Sequence, residues 1–185
     1  MILSHANAQL LVIDVQEKLA PAMSDAGPVI ANSARLITAA RHFAVPVTIS
    51  EQYPRGIGPT VAALREAAGD GASAFEKLAF SCARDEAICA HLGLLREGRT
   101  RRQIVLTGIE AHVCVLQTAL DLRQTGYEVF VVVDAIASRV ETSKDMALRR
   151  MEQAGVHPVT TEMVIFEWLG RAGTPDFKAL MPLVK

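Results

Sequence analysis

Gln9-Leu10-Leu11-Val12-Ile13, closed by Asp14, decides the fold. The run is apolar at every position after Gln9, so both faces need cover, as in a parallel strand with helices on each side. Outward from it, apolar runs of about four to six residues alternate with segments of helical period, the pattern of repeated β-α units. Val29, Leu36 and Phe43, with Ile30, Ile37 and Ala40, predict a helix over about 28–43 that ends before Pro46. Val47-Thr48-Ile49-Ser50 reads as the second strand. The stretch 51–71, with Pro54, Gly56, Gly58 and Pro59, reads as loop around a short helix near 60–67. Ala74-Phe75-Glu76-Lys77 is the third strand, followed by a helix over about 85–96 with Ile88, Leu92 and Leu95 on one face. Strand four covers 103–106 and leads into a helix over about 112–124, stopped by Gly126. Strand five covers 127–133. Thr142-Ser143-Lys144-Asp145 reads as the cap of a helix carrying Met146, Leu148 and Met151, closed by Gly155. A sixth strand follows at 156–159, then helical pieces at about 162–169 and 174–183 with Trp168 and Phe177 packed on the body or on a partner subunit. The expectation is one α/β domain over 1–185, a Rossmann-like three-layer α-β-α sandwich around a six-stranded parallel sheet.

Composition narrows the function. The chain has 185 residues, 50% of them hydrophobic and 21% charged, enough for a core without staples and unlike a disordered segment. Lys plus Arg total 19 against 20 for Asp plus Glu, a net charge of -1, so nothing draws the chain onto phosphate backbones or anionic lipid. No nucleic acid and no membrane are expected as partners. The first apolar run stops at Asp14, far short of the ~20 residues of a spanning helix, and no basic leader precedes it. Three cysteines, Cys82, Cys89 and Cys114, form no C-x-x-C pair. A reducing, cytoplasmic setting is the expectation. Gly56-Ile57-Gly58 is too short for a nucleotide loop, and no G-x-G-x-x-G or Walker pattern occurs. The five histidines, His5, His42, His91, His112 and His157, lack ligand spacing, so no metal and no cofactor are expected.

In an open parallel sheet, ligands bind outside the carboxyl ends of the strands, at the point where strand order reverses. Three reactive side chains fall at such ends: Asp14 after strand one, Lys77 after strand three and Cys114 in the first turn after strand four. A helix start favours a thiolate, an ammonium adds to that, and a carboxylate can take the thiol proton. Each also has a plainer reading: Cys114 as an apolar filler, Asp14 as a turn cap, Lys77 as a solvated charge.

Three segments resemble the signatures of isochorismatase-like cysteine hydrolases, in order and spacing: Leu11-Val12-Ile13-Asp14-Val15-Gln16, Phe75-Glu76-Lys77-Leu78-Ala79-Phe80-Ser81, and Thr107-Gly108-Ile109-Glu110-Ala111-His112-Val113-Cys114-Val115. Ser50-Glu51-Gln52-Tyr53-Pro54, Thr118-Ala119-Leu120-Asp121-Leu122 and Pro175-Asp176-Phe177-Lys178-Ala179-Leu180 are similar to the branch called isochorismatase domain-containing proteins. The resemblance implies Cys114 as nucleophile, Asp14 as its base and Lys77 as the cation that holds the pair. It also implies a cis peptide at Ile109-Glu110 and an oxyanion hole from the backbone N–H groups of Glu110 and Cys114. The implied reaction is thiolate attack on an amide-like carbonyl, loss of ammonia or an amine, and hydrolysis of the thioester.

Departures from the pattern narrow this further. Nicotinamidases of the superfamily hold a metal with an Asp and paired His after strand two, where this chain has Glu51-Gln52-Tyr53-Pro54-Arg55-Gly56. Isochorismatase proper cleaves a vinyl ether without a cysteine nucleophile, so Cys114 favours acyl chemistry. Gln16, Tyr53, Phe80 and Glu110 are placed around a small-molecule pocket, with ordinary packing the alternative for Tyr53 and Phe80. Glu110 would disfavour an anionic substrate group unless paired or protonated. His112 reads as structural, and Cys82 and Cys89 as core or surface thiols. A vinyl ether hydrolase, a catalytically silent interaction protein and a redox role for Cys114 stay open as alternatives. Self-association as a dimer or larger ring is expected, since relatives commonly form them.

Overall fold

Strand β1 (Ala8–Ile13) is buried at all six positions, as its two-sided apolar pattern requires. In the computed structural model, which describes residues 1–94 and 101–185, Leu10 and Val12 enter one core while Leu11 and Ile13 enter the other. Helix α1 (Ala26–His42) crosses to β2 (Val47–Gln52), and α2 (Pro54–Ile57) and α3 (Ala62–Ala68) lead to β3 (Ala72–Lys77). Helix α4 (Glu86–Leu92) precedes β4 (Gln103–Ile109), and α5 (Leu116–Gln124) connects to β5 (Glu128–Ala137). Helix α6 (Glu141–Gln153), β6 (His157–Val159), α7 (Thr161–Leu169) and α8 (Pro175–Leu180) complete the order.

The strands form one six-stranded sheet in the order β3-β2-β1-β4-β5-β6, and every pairing is parallel. The fold is thus the expected α/β sandwich. One core takes residues of α1, α3, α7 and α8, including Leu36, Leu64, Trp168 and Leu180. The other takes residues of α4, α5 and α6, including Ile88, Leu122 and Met151. Strand order reverses between β1 and β4, which places a crevice beyond Ile13 and Ile109. Gly108 is required there: at φ +118° it lies so close to β1 that a Cβ would run into the backbone of Ile13.

Several boundaries differ from the expectation. The third strand starts at Ala72, the fourth runs to Ile109 and the fifth to Ala137, because register with a neighbouring strand extends them past the apolar run. Thr142-Ser143-Lys144-Asp145 does not cap α6 from outside: the helix begins at Glu141 after Val140, which makes no side-chain cap bond. Asp85 does cap α4, accepting from the N–H groups of Ala87 and Ile88, whereas the expected continuation through Leu95 and Arg96 lies outside the described residues. Trp168 is buried within the chain, and Phe177 packs against Phe166.

Candidate active site

Asp14 leaves β1 in the left-handed region at φ +53°, a conformation that Asp tolerates better than most side chains. Its N–H donates to the Ser50 carbonyl at 3.1 Å, and its own carbonyl accepts from Gln16 N–H at 2.9 Å. The bend leaves the carboxylate buried at the crevice. Oδ1 accepts from the Ser50 hydroxyl at 2.7 Å, and Oδ2 accepts from Lys77 Nζ at 2.7 Å.

Lys77 ends β3 opposite Gln52 in the β2 register, two strands from Asp14, and its long side chain spans that gap. Besides Asp14, Nζ donates to Gln52 Oε1 at 2.7 Å, Phe80 O at 3.1 Å and Ala79 O at 3.2 Å. An ammonium has three protons, so these acceptors saturate it and leave none for a substrate. Burial by itself pulls the ammonium down; Asp14, followed by Cys82 and Cys114, outweighs that and holds its pKa above the ordinary value. Lys77 is therefore a fixed charge.

Cys114 lies in a π-helical turn, Ala111–Val115, rather than in the first turn of an α-helix. The Glu110 carbonyl closes this turn by accepting from Val113 N–H at 3.1 Å and Val115 N–H at 3.2 Å, and the Ile109–Glu110 peptide is cis. The thiol is buried, with the Asp14 carboxylate and the Lys77 ammonium the charges that act on it. Burial first and the Asp14 charge second push it above the ordinary thiol range, with Lys77 opposing. The direction is opposite to the one that a helix start and the ammonium alone would give, because desolvation and the Asp14 charge exceed both.

A second thiol shares the cluster. Cys82, read from the sequence as a core or surface thiol, is buried with Sγ donating to Ser50 Oγ at 3.4 Å and its N–H donating to Thr118 Oγ1 at 2.9 Å. Burial, then the Asp14 charge, pushes this thiol up to about 11. Sequence reasoning missed both Cys82 and Ser50. The available signal was that a residue at the end of β2 must adjoin one at the end of β1.

The other expected pocket residues separate. Gln16 is fully buried and spent on backbone: Nε2 donates to Gln52 O at 3.0 Å and Gly58 O at 2.6 Å, and Oε1 accepts from Gln52 N–H at 2.8 Å. It thereby pins the end of β2, and with it Gln52, against Lys77. Glu110 is paired, its Oε2 3.0 Å from Arg139 Nε. Tyr53 and Phe80 stand half exposed, and Tyr53 lines with Lys77 a cleft of about 730 Å³ that reaches Arg84 and Ala87. Neither Asp14 nor Cys114 lines that cleft. The reactive groups are in the buried cluster, and Lys77 is the member common to both. His112 Nδ1 meets Ser138 Oγ at 2.9 Å, tying the π turn to the end of β5. Cys89 donates to Ala83 O at 3.0 Å, away from the cluster. Among the described residues, no group of three His, Cys, Asp or Glu side chains could hold a metal ion, and no helix is long and apolar enough to cross a membrane.

Comparison with known proteins gives this arrangement a family. The isochorismatase domain profile matches residues 8–163. Isochorismatase domain-containing protein 2 of Danio rerio is 37% identical over 182 residues, covering 98% of this chain and 89% of its own. The structure of MAR1 ribonuclease from Caenorhabditis elegans superposes with a TM-score of 0.92 at 38% identity, over 100% of this chain and 92% of that one. The YcaC gene product of Escherichia coli, described as an octameric hydrolase of unknown specificity, shares the fold at TM-score 0.89 and 23% identity over 99% and 90%. The chain belongs to the isochorismatase family.

Proposed function

We propose that this chain, 1–185 as one domain, is a cysteine-dependent hydrolase of a small amide, carbamoyl or related acyl compound. One observation carries the reading: the buried carboxylate of Asp14, held by Lys77 at 2.7 Å, acts directly on the buried Cys114 thiol. Asp14 takes the thiol proton as sulfur attacks the carbonyl carbon. The oxygen that gains charge is received by the backbone N–H groups of Glu110 and Cys114, and one such donor contributes about 3 kcal/mol of barrier lowering. Collapse breaks the C–N bond, and the departing amine leaves with the proton from Asp14. Water then attacks the thioester, giving its proton to Asp14, which returns it to sulfur as the acid departs. No metal or cofactor enters these steps. Lys77, with every proton committed, keeps Asp14 oriented and balances its charge.

The Glu110–Arg139 pair balances the carboxylate beside the nucleophile, so Glu110 does not bar an anionic substrate group. Tyr53 and Phe80 would flank the substrate. A net charge of -1 gives little for an RNA backbone to follow, so the small-molecule reading stands ahead of the nuclease activity in the nematode relative's name. The cytoplasm is the compartment this chemistry suits, since reduced thiols persist there. Assembly into a dimer or larger ring, as in the octameric relative, is the state in which activity is expected.

The test is iodoacetamide labelling against pH, read at peptide level by mass spectrometry, for the wild type, Asp14→Ala and Lys77→Ala. Cys114 labelling should have a pH profile that changes in both variants, while the profile of Cys89, away from the cluster, stays as it is. Ordinary labelling of Cys114 in all three proteins would sink the nucleophile assignment. Hydrolysis that survives Cys114→Ala but not Asp14→Ala would instead mark vinyl ether chemistry.

A further inference from the structure

The mechanism above uses Asp14, Lys77 and Cys114 and leaves two buried groups of the same cluster without a task. Ser50 Oγ lies 2.7 Å from Asp14 Oδ1, and Cys82 Sγ lies 3.4 Å from Ser50 Oγ. The direction of these bonds follows from chemistry. A carboxylate only accepts, so the single Ser50 proton is committed to Asp14. The Ser50 oxygen can then only accept from Cys82, whose thiol must be protonated to donate. Burial agrees, pushing that thiol up to about 11. The chain thus runs Cys82 S–H to Ser50 O–H to Asp14 Oδ1. Thr118, on the helix that follows the Cys114 turn, fixes its far end by accepting the Cys82 N–H at 2.9 Å.

We propose that Ser50 is a positioning residue for the base, with its hydroxyl aimed by Cys82, so that β2 and the turn after β3 jointly set the orientation of Asp14. The proposal rests on the reading of Asp14 as base. Lys77 occupies one carboxylate oxygen and Ser50 the other, which fixes the plane of the carboxylate. Withdrawing the Ser50 donor frees that plane to turn, so Asp14 should serve Cys114 less well.

The experiment is the pH profile of Cys114 alkylation, with folding checked by circular dichroism, for the wild type, Asp14→Asn, Ser50→Ala, Ser50→Thr, Cys82→Ala and Cys82→Ser. In Ser50→Ala, Cys114 labelling should be about tenfold slower across the profile. Ser50→Thr, which restores the hydroxyl, should recover the wild-type rate. Cys82→Ala should slow labelling less, about threefold, and Cys82→Ser should follow the wild type. A folded Ser50→Ala protein with a wild-type profile overturns the proposal, as does an equal change in Ser50→Ala and Ser50→Thr. Should Ser50→Ala fail to fold, the Cys82 variants decide, and identical profiles for Cys82→Ala and Cys82→Ser overturn it. A wild type whose profile ignores Asp14→Asn removes the base itself. A wild type that responds to Asp14→Asn but not to Ser50→Ala leaves the base standing and removes only the positioning role.

Discussion

Two ion pairs in this molecule have the same 2.7 Å separation and opposite surroundings. Asp14–Lys77 is fully buried, with both side chains 0% exposed. Arg84–Asp121, on the outer side of α5, has side chains 66% and 17% exposed. In water the second pair gains little, because solvent already satisfies both charges and salt screens what is left. The first pair has given up its hydration, and each charge depends on its partner and on a ring of dipoles: Ser50 on Asp14, and Gln52 with two carbonyls on Lys77. Equal distance therefore says nothing about equal energy. An apolar pair of similar volume often serves stability as well as a buried ion pair, so Asp14–Lys77 is weak evidence for stability and fits the chemistry proposed at Cys114.

Breaking the buried pair should have the largest effect. Lys77→Met leaves a carboxylate buried without its cation and should cost about 3–5 kcal/mol in urea unfolding, with loss of Cys114 labelling. The double variant Asp14→Leu/Lys77→Met should recover most of the stability and none of the reactivity; a double variant as unstable as the single one would contradict this account.

The next effect is alkaline. The Cys82 thiol, ordinarily at 9.0, is raised to about 11 in the folded chain. Above pH 9 the unfolded chain loses this proton and the folded chain keeps it. The stabilisation is therefore complete below 9 and is lost as pH rises toward 11, at about tenfold in the folding constant per pH unit. Cys82→Ala should flatten that slope in denaturant titrations at pH 8 to 11, and an unchanged slope would show that the thiol is not the titrating group.

The smallest effect belongs to the outer pair. The Arg84 hydrogen bond holds the Asp121 carboxyl below its ordinary value, so its contribution is present at neutral pH and fades as pH falls through the lowered value. Asp121→Asn should lower the neutral-pH melting temperature by no more than about 2 °C, and the gap should close in acid or in high salt. A drop as large as that of Lys77→Met would erase the contrast between the two regions.

Much of the fold could be read directly. Leu10 to Ile13 and Val129 to Val132 are buried on both faces, which a continuous apolar run announces. Asp14, Lys77 and Cys114 were legible from their segments and from their places after strands. Other features were hidden for identifiable reasons. Gln16 has the look of a pocket residue, but its amide partners lie 36 and 42 residues away, at the end of β2 and in the loop beyond it, whose path no local pattern gives. Ser50 and Cys82 read as ordinary small residues of a strand end and a turn, since their hydrogen bonds cross to other elements. The cap of α6 was misplaced because Thr142 and Ser143 suit a cap in isolation, whereas Val140 holds the extended position before the helix.

From the sequence came the β-α alternation, the parallel sheet and the family, because periodicity and residue type are local and survive without coordinates. The surroundings of Asp14, Lys77 and Cys114 came only from the tertiary structure. Desolvation and charge depend on everything within a few ångströms in three dimensions: burial and the Asp14 charge raise the Cys114 thiol, four acceptors saturate Lys77, and a crossing from β2 gives Asp14 its second donor.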